Sequence, residues 1–147
     1  MSVGSGEGSA KVPVVTGVVG SDAHIIGNWL VSHTLEQANF DVHRLGVLTS
    51  QEEFIDAAKE TDAKAIIVTS LYGMGVIDCQ GFREKCDEAG LKDILLYIGG
   101  NLAVRGQDFG EIERELKSMG FNRVYPTTAD LQEFIADLRG DLGVTLG

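Results

Sequence analysis

No apolar stretch in this chain is long enough to span a bilayer. Met1–Ala10 is rich in glycine and serine and has neither the basic nor the apolar segment of a signal peptide. We read it as a flexible tail, with residues 1–11 leading into one domain over 12–147, and expect a cytoplasmic protein. Two cysteines are too few for a disulfide framework. The spacing of Cys79 and Cys86 fits no zinc motif, so both are read as reduced structural thiols able to share one side of a helix. Basic residues are outnumbered 12 to 22, for a net charge of −10, which disfavours non-specific nucleic-acid binding and anionic membranes. Phosphate-binding signatures are missing too. Gly17, Gly20 and Gly27 are wrongly spaced for a dinucleotide fingerprint, and no P-loop is present. A receiver-type phosphoacceptor would need an aspartate where Thr69 and Ser70 stand, and a flavin loop would need more hydroxyls than Ser21 alone.

What is present is a strict alternation of strand-like and helix-like segments. Apolar runs at Val12–Val19, Asp41–Leu48, Ala65–Thr69, Ile94–Ile98 and Arg123–Tyr125 predict five strands. Between and after them, helical spacing predicts helices over Ile25–Asn39, Gln51 to about Glu60, Gln80–Ala89, Phe109–Met119 and Ala129–Leu138. Ser50 and Glu53 form a capping-box pattern, and Gly90, Gly120 and Gly140 read as helix stops. Such alternation implies an α/β fold: a doubly wound, five-stranded parallel sheet, flavodoxin-like (Rossmann-like), in the order 2-1-3-4-5.

Ligands of open parallel sheets bind beyond the carboxyl ends of the strands, where the strand order reverses. Three unusual loops fall on that edge: Ser21-Asp22-Ala23-His24-Ile25 with Gly27, Thr69-Ser70-Leu71, and Gly99-Gly100-Asn101. A neutral imidazole is a good transition-metal ligand, and a carboxylate on its other nitrogen fixes the tautomer. In extended chain, residues two apart point the same way, so Asp22 can orient His24. His33 and His43 have no ligand spacing to His24, so a metal would have to arrive already coordinated. From these two residues alone, a loop histidine beside a capping aspartate is the favoured reading.

Taken together, the loops resemble the cobalamin-binding domain of cobalamin-dependent mutases and methyltransferases, whose signature is D-x-H-x-x-G, then S-x-L, then G-G. Asp22, His24 and Gly27 match the first element. Thr69-Ser70-Leu71 follows Gly27 by 42 residues, and Gly99-Gly100 follows Leu71 by 28. Thr69 departs from the usual serine but keeps a hydroxyl. Gly20-Ser21-Asp22, Gly46-Val47-Leu48, Ser70-Leu71-Tyr72-Gly73, Arg83–Leu91, Gly99-Gly100-Asn101 and Met119-Gly120-Phe121 further resemble the small subunits of glutamate (methylaspartate) mutases. The likeness runs from about Val14 to Leu142, and Arg83–Leu91 is a helix surface, not a cofactor loop.

The resemblance implies adenosylcobalamin bound base-off, with His24 as the axial cobalt ligand. The displaced nucleotide tail would run between the sheet and a helix past Gly27, Gly99 and Gly100, with Thr69 bonding it and Leu71 packing on it. Asn101, Leu102, Ala103, Val104 and Arg105 would line the upper site. The implied reaction is the radical rearrangement of L-glutamate to threo-3-methylaspartate. This isomerase subunit would be inactive alone and would need a large catalytic barrel subunit, two small with two large. No nucleic acid or membrane is expected as a partner. Alternatives are a small subunit of a methylmalonyl-CoA-type mutase, a methyltransferase corrinoid protein, or a cobalamin-sensing module. The Arg83–Leu91 stretch speaks against the first. The corrinoid proteins carry a helical segment ahead of the domain, which a strand starting near residue 12 would leave no room for.

Overall fold

The computed structural model describes residues 11–18, 26–46, 49–70, 79–99, 108–126 and 130–143. The strands are β1 (Pro13–Val18), β2 (Asp41–Arg44), β3 (Ala65–Thr69), β4 (Leu95–Gly99) and β5 (Arg123–Tyr125), all parallel, in the order β2-β1-β3-β4-β5. The helices described are α1 (Ile26–Gln37), α2 (Gln51–Thr61), α3 (Phe82–Glu88), α4 (Phe109–Ser118) and α5 (Leu131–Leu142). None is long and apolar enough to cross a membrane.

Side chains alternate between the faces of a strand, so each buried run feeds two cores. Val15, Ile66, Val68, Leu96, Ile98 and Val124 pack against Phe54, Ile55 and Ala58 of α2, Phe82 and Cys86 of α3, and Ile112 and Leu116 of α4. On the other face Val14, Ala65, Ile67 and Tyr97 meet Leu35 of α1 and Phe134, Ile135 and Leu138 of α5. Cys79 and Cys86 are buried and form no disulfide among the described residues. Cys79 lies ahead of α3, so the two thiols share a core but not a helix. Burial pushes the Cys86 thiol up to about 11, which keeps it protonated and unreactive.

The helix ends follow local chemistry. The Glu53 N–H donates to Ser50 Oγ (3.1 Å) and the Ser50 N–H to Glu53 Oε1 (2.9 Å), the reciprocal cap expected at α2. Asp108 and Asp130 accept from Glu111 N and Gln132 N at the starts of α4 and α5. Two expectations need correction. β2 stops at Arg44, because the chain turns at Gly46 (φ +87°), whose carbonyl accepts from the N–H of Val18 at 2.8 Å. The last helix does not stop at Leu138 with Gly140 beyond it. It runs through Gly140 to Leu142 and ends at Gly143 (φ +70°). A mid-helix glycine costs about 1 kcal/mol, and the contacts of Asp141 with the sheet, described below, outweigh that.

The Arg83–Leu91 stretch exposes Glu84, Lys85, Asp87 and Glu88, as a helix surface should, but Arg83 turns inward. Its guanidinium donates to Gly120 O (3.1 Å), Ile94 O (2.9 Å) and Asn122 Oδ1 (2.9 Å). Asn122 Oδ1 also accepts from Leu96 N (2.9 Å). One side chain thus joins α3 to the segments entering β4 and β5, at the amino edge of the sheet. Gly120 is bound to this clasp, since its φ is +107° and an added Cβ would stand 2.4 Å from Arg83 Cβ. At Gly140 an added Cβ meets nothing within 4 Å. Gly120→Ala should therefore cost about 3 kcal/mol, whereas Gly140→Ala should gain about 0.5–1 kcal/mol. Urea denaturation of the two variants checks both the signs and the contrast.

Candidate functional site

Parallel register sets the site. Val18 pairs with Thr69, Thr69 with Gly99, and Gly99 with Tyr125. The last residues of four neighbouring strands therefore form one row at the carboxyl edge, and three of them lead into the three unusual loops. The ladder runs one residue further, where the Ser70 N–H donates to Gly99 O at 3.0 Å. Thr69 and Ser70 are buried, at 4% and 1% exposure. Gly27 falls in the first turn of α1. Ser21, Asp22, Ala23, His24, Ile25, Leu71, Gly100 and Asn101 to Arg105 lie outside the described residues. The structure thus brings Thr69, Ser70 and Gly99 together and shows where the other loops depart.

Along this row the face toward α1 and α5 is the one carrying Ile67 and Tyr97, two residues before Thr69 and Gly99. On that face α1 is fastened to β1 by a buried pair of small hydroxyls, Thr16 Oγ1 and Ser32 Oγ, 2.8 Å apart. Sequence reasoning passed over this pair. A lone threonine inside an apolar strand was its signal.

On the same face, α5 is fastened to β4 and β5. The Tyr125 hydroxyl donates to Asp137 Oδ2 at 2.8 Å and the Tyr97 hydroxyl to Asp141 Oδ2. Arg123 donates to both oxygens of Asp141, at 2.7 Å and 3.1 Å, and has a third nitrogen 3.6 Å from Asp137. Phe134 meets the rings of Tyr97 and Tyr125 edge-on, at 5.9 Å and 5.5 Å. Burial, then the carboxylate partners, push both phenols well above their ordinary range, so both remain donors. The Arg123 guanidinium, helped by the Tyr97 hydroxyl, holds the Asp141 carboxyl below its ordinary value.

The donor set can be weighed against a corrinoid. Among the described residues no cluster of His, Cys, Asp and Glu could hold a bare metal ion. Gly99 offers the sharper test. Among the described residues a Cβ there would meet only Tyr125, at 3.4 Å and 3.5 Å, which is ordinary contact, and its φ is not left-handed. Gly17 is different, because a Cβ would press on Phe54 at 2.9 Å. Packing among the described residues demands glycine at 17 but not at 99, and bare backbone at 99 is compatible with a group from outside the chain. The residues fit the tail of a corrinoid on this face.

A family model described as B12 binding domain matches residues 12–111. A cobalamin-binding protein from Desulfitobacterium hafniense shares the fold, with a TM-score of 0.73 at 16% identity over 89% of this chain and 59% of that one. Fold and family match together define the class, a B12-binding domain on a doubly wound parallel sheet. The glutamate mutase sigma subunit of Carboxydothermus hydrogenoformans is 56% identical over 91% of this chain and 98% of its own. That of Clostridium tetanomorphum is 52% identical over the same shares. The chain belongs to the family of glutamate mutase sigma subunits, the cobalamin-binding components of a heteromeric isomerase.

Two outcomes follow. Gly99→Ala should leave the unfolding midpoint within about 1 kcal/mol of the unaltered chain while cobalamin affinity, followed by absorbance titration, falls at least about tenfold. Asp141 has a folded pKa below its ordinary 3.8, so the stability it adds is present above that value and lost as pH falls through the folded one. The stability gap between the unaltered chain and Asp141→Asn should therefore narrow on acidification. Denaturation series from neutral pH down through the carboxylate range check this.

Proposed function

We propose that residues 12–147 form a single domain that carries adenosylcobalamin base-off, with His24 as the axial cobalt ligand and Asp22 orienting its imidazole. Ser21 to Ile25 and Gly27 would form the first wall, and Thr69, Ser70 and Leu71 the second. Gly99 and Gly100 would leave room for the nucleotide tail, and Asn101 to Arg105 would close the upper rim. The observation that carries this reading is the shared last row of β1, β3 and β4. It sends the three motif loops out from one edge, and Thr69 and Gly99 face the same pair of helices.

When bound, the cofactor supplies the radical chemistry through homolysis of its cobalt–carbon bond. This chain binds it, orients it and tunes the metal from below. The Thr69 hydroxyl donates to or accepts from the tail, and its extra methyl, relative to serine, changes affinity modestly. The substrate dicarboxylate binds elsewhere, in a large barrel subunit that covers the corrin, two copies of each chain making the enzyme. The assembly interconverts L-glutamate and threo-3-methylaspartate in the cytoplasm.

The test is electron paramagnetic resonance of cob(II)alamin on chain labelled with nitrogen-15 at histidine. A hyperfine pattern that responds to the label and is lost in His24→Ala supports the assignment. Corrinoid that keeps its own base on cobalt, or does not bind, refutes it. Turnover of glutamate should then require both this chain and the large subunit, and His24→Ala should lower it by about two orders of magnitude or more, the scale expected for a lost metal ligand or its orienting partner.

A further inference from the structure

Tyr125 closes one end of the row that contains Gly99. On the face toward α1 and α5, the row presents the Thr69 side chain, the bare Gly99 backbone and then the Tyr125 ring. Neighbouring strands lie about 4.8 Å apart, so the Thr69 hydroxyl and the Tyr125 ring stand about two strand spacings apart, with no side chain on the strand between them. That ring is pinned rather than free to turn. It is held between Tyr97 at 5.8 Å and Phe134 at 5.5 Å, and its hydroxyl is tied to Asp137 at 2.8 Å.

We propose that Asp137 is a positioning residue for the corrinoid, fixing the Tyr125 ring as the outer wall of the tail slot. Resting on the corrinoid reading above, this deepens it by adding a residue from α5, which no motif loop contains. Asp137 and Asp141 stand one helical turn apart and divide the work. Asp141 takes Tyr97, deeper in the sheet, and the main fork of Arg123, so it chiefly holds the helix on the sheet. Asp137 takes the tyrosine at the ligand row and only the longer 3.6 Å approach of Arg123. Removing Asp137 frees the wall, while removing Asp141 loosens the fold beneath it.

That split separates a positioning role from a purely structural one. Full-length chain and its variants are titrated with cob(II)alamin, and unfolding midpoints are measured alongside. Tyr125→Phe and Asp137→Ala should each weaken uptake by about tenfold, the loss of one charge-assisted hydrogen bond. The double variant should be no weaker than either single, because both delete one contact. Asp137→Asn, which keeps an acceptor, should recover most of the affinity. Asp141→Asn should lower the midpoint while affinity stays within about twofold. Additive losses, or affinity unchanged in Tyr125→Phe, overturn the proposal. Tyr125→Phe keeps every α5 side chain and the Asp141 contacts, and decides the matter even where Asp137→Ala does not fold. Absence of cob(II)alamin uptake by the unaltered chain would remove the corrinoid reading and this proposal together, whereas uptake indifferent to the variants would remove the proposal alone.

Discussion

Register between parallel strands is the constraint on which the rest of this structure depends. The inner strands β1, β3 and β4 are buried along nearly their whole length. Shifting any of them by one residue would turn its core side chains to the wrong face and break both clusters at once. Packing therefore fixes the register, and the register fixes where each strand ends. Val18, Thr69 and Gly99 finish level because Val14, Ala65 and Leu95 start level. The points where three distant loops leave the sheet are thus set by hydrophobic burial.

Much of this was legible in advance, for identifiable reasons. β3 and β5 have the bounds the apolar runs gave, and the 2-1-3-4-5 order follows from alternation and right-handed crossovers. Ser50 and Glu53 marked the start of α2 because their chemistry is local. Gly140 misled because a helix stop is a local signal, and the contacts of Asp141 that carry α5 past it are made with strands far away in sequence. The loop motifs were legible as a pattern, and Thr69, Ser70 and Gly99 fall on one edge as that pattern required. The α5 contribution was not. Asp137 belongs to the site only through Tyr125, and a carboxylate on an exposed helix looks like any other until the sheet beneath it is known.

The two edges of the sheet have divided their tasks. At the carboxyl edge β3 and β4 end on the short Thr69 and the bare Gly99. At the amino edge Arg83, Asn122 and the carbonyls of Ile94 and Gly120 are joined by hydrogen bonds. The same core joins the two.

The amino-edge clasp carries an evolutionary consequence. Arg83 reaches its acceptors only across a position with no side chain, and Asn122 divides one oxygen between that guanidinium and the start of β4. Arg83 depends on both, whereas Gly120 is also fixed by its φ of +107° and Asn122 also by its bond from Leu96 N. The clasp is therefore one-sided: a lineage could lose the arginine, but the φ of +107° and the Cβ of almost any residue at 83 would still hold position 120 to glycine.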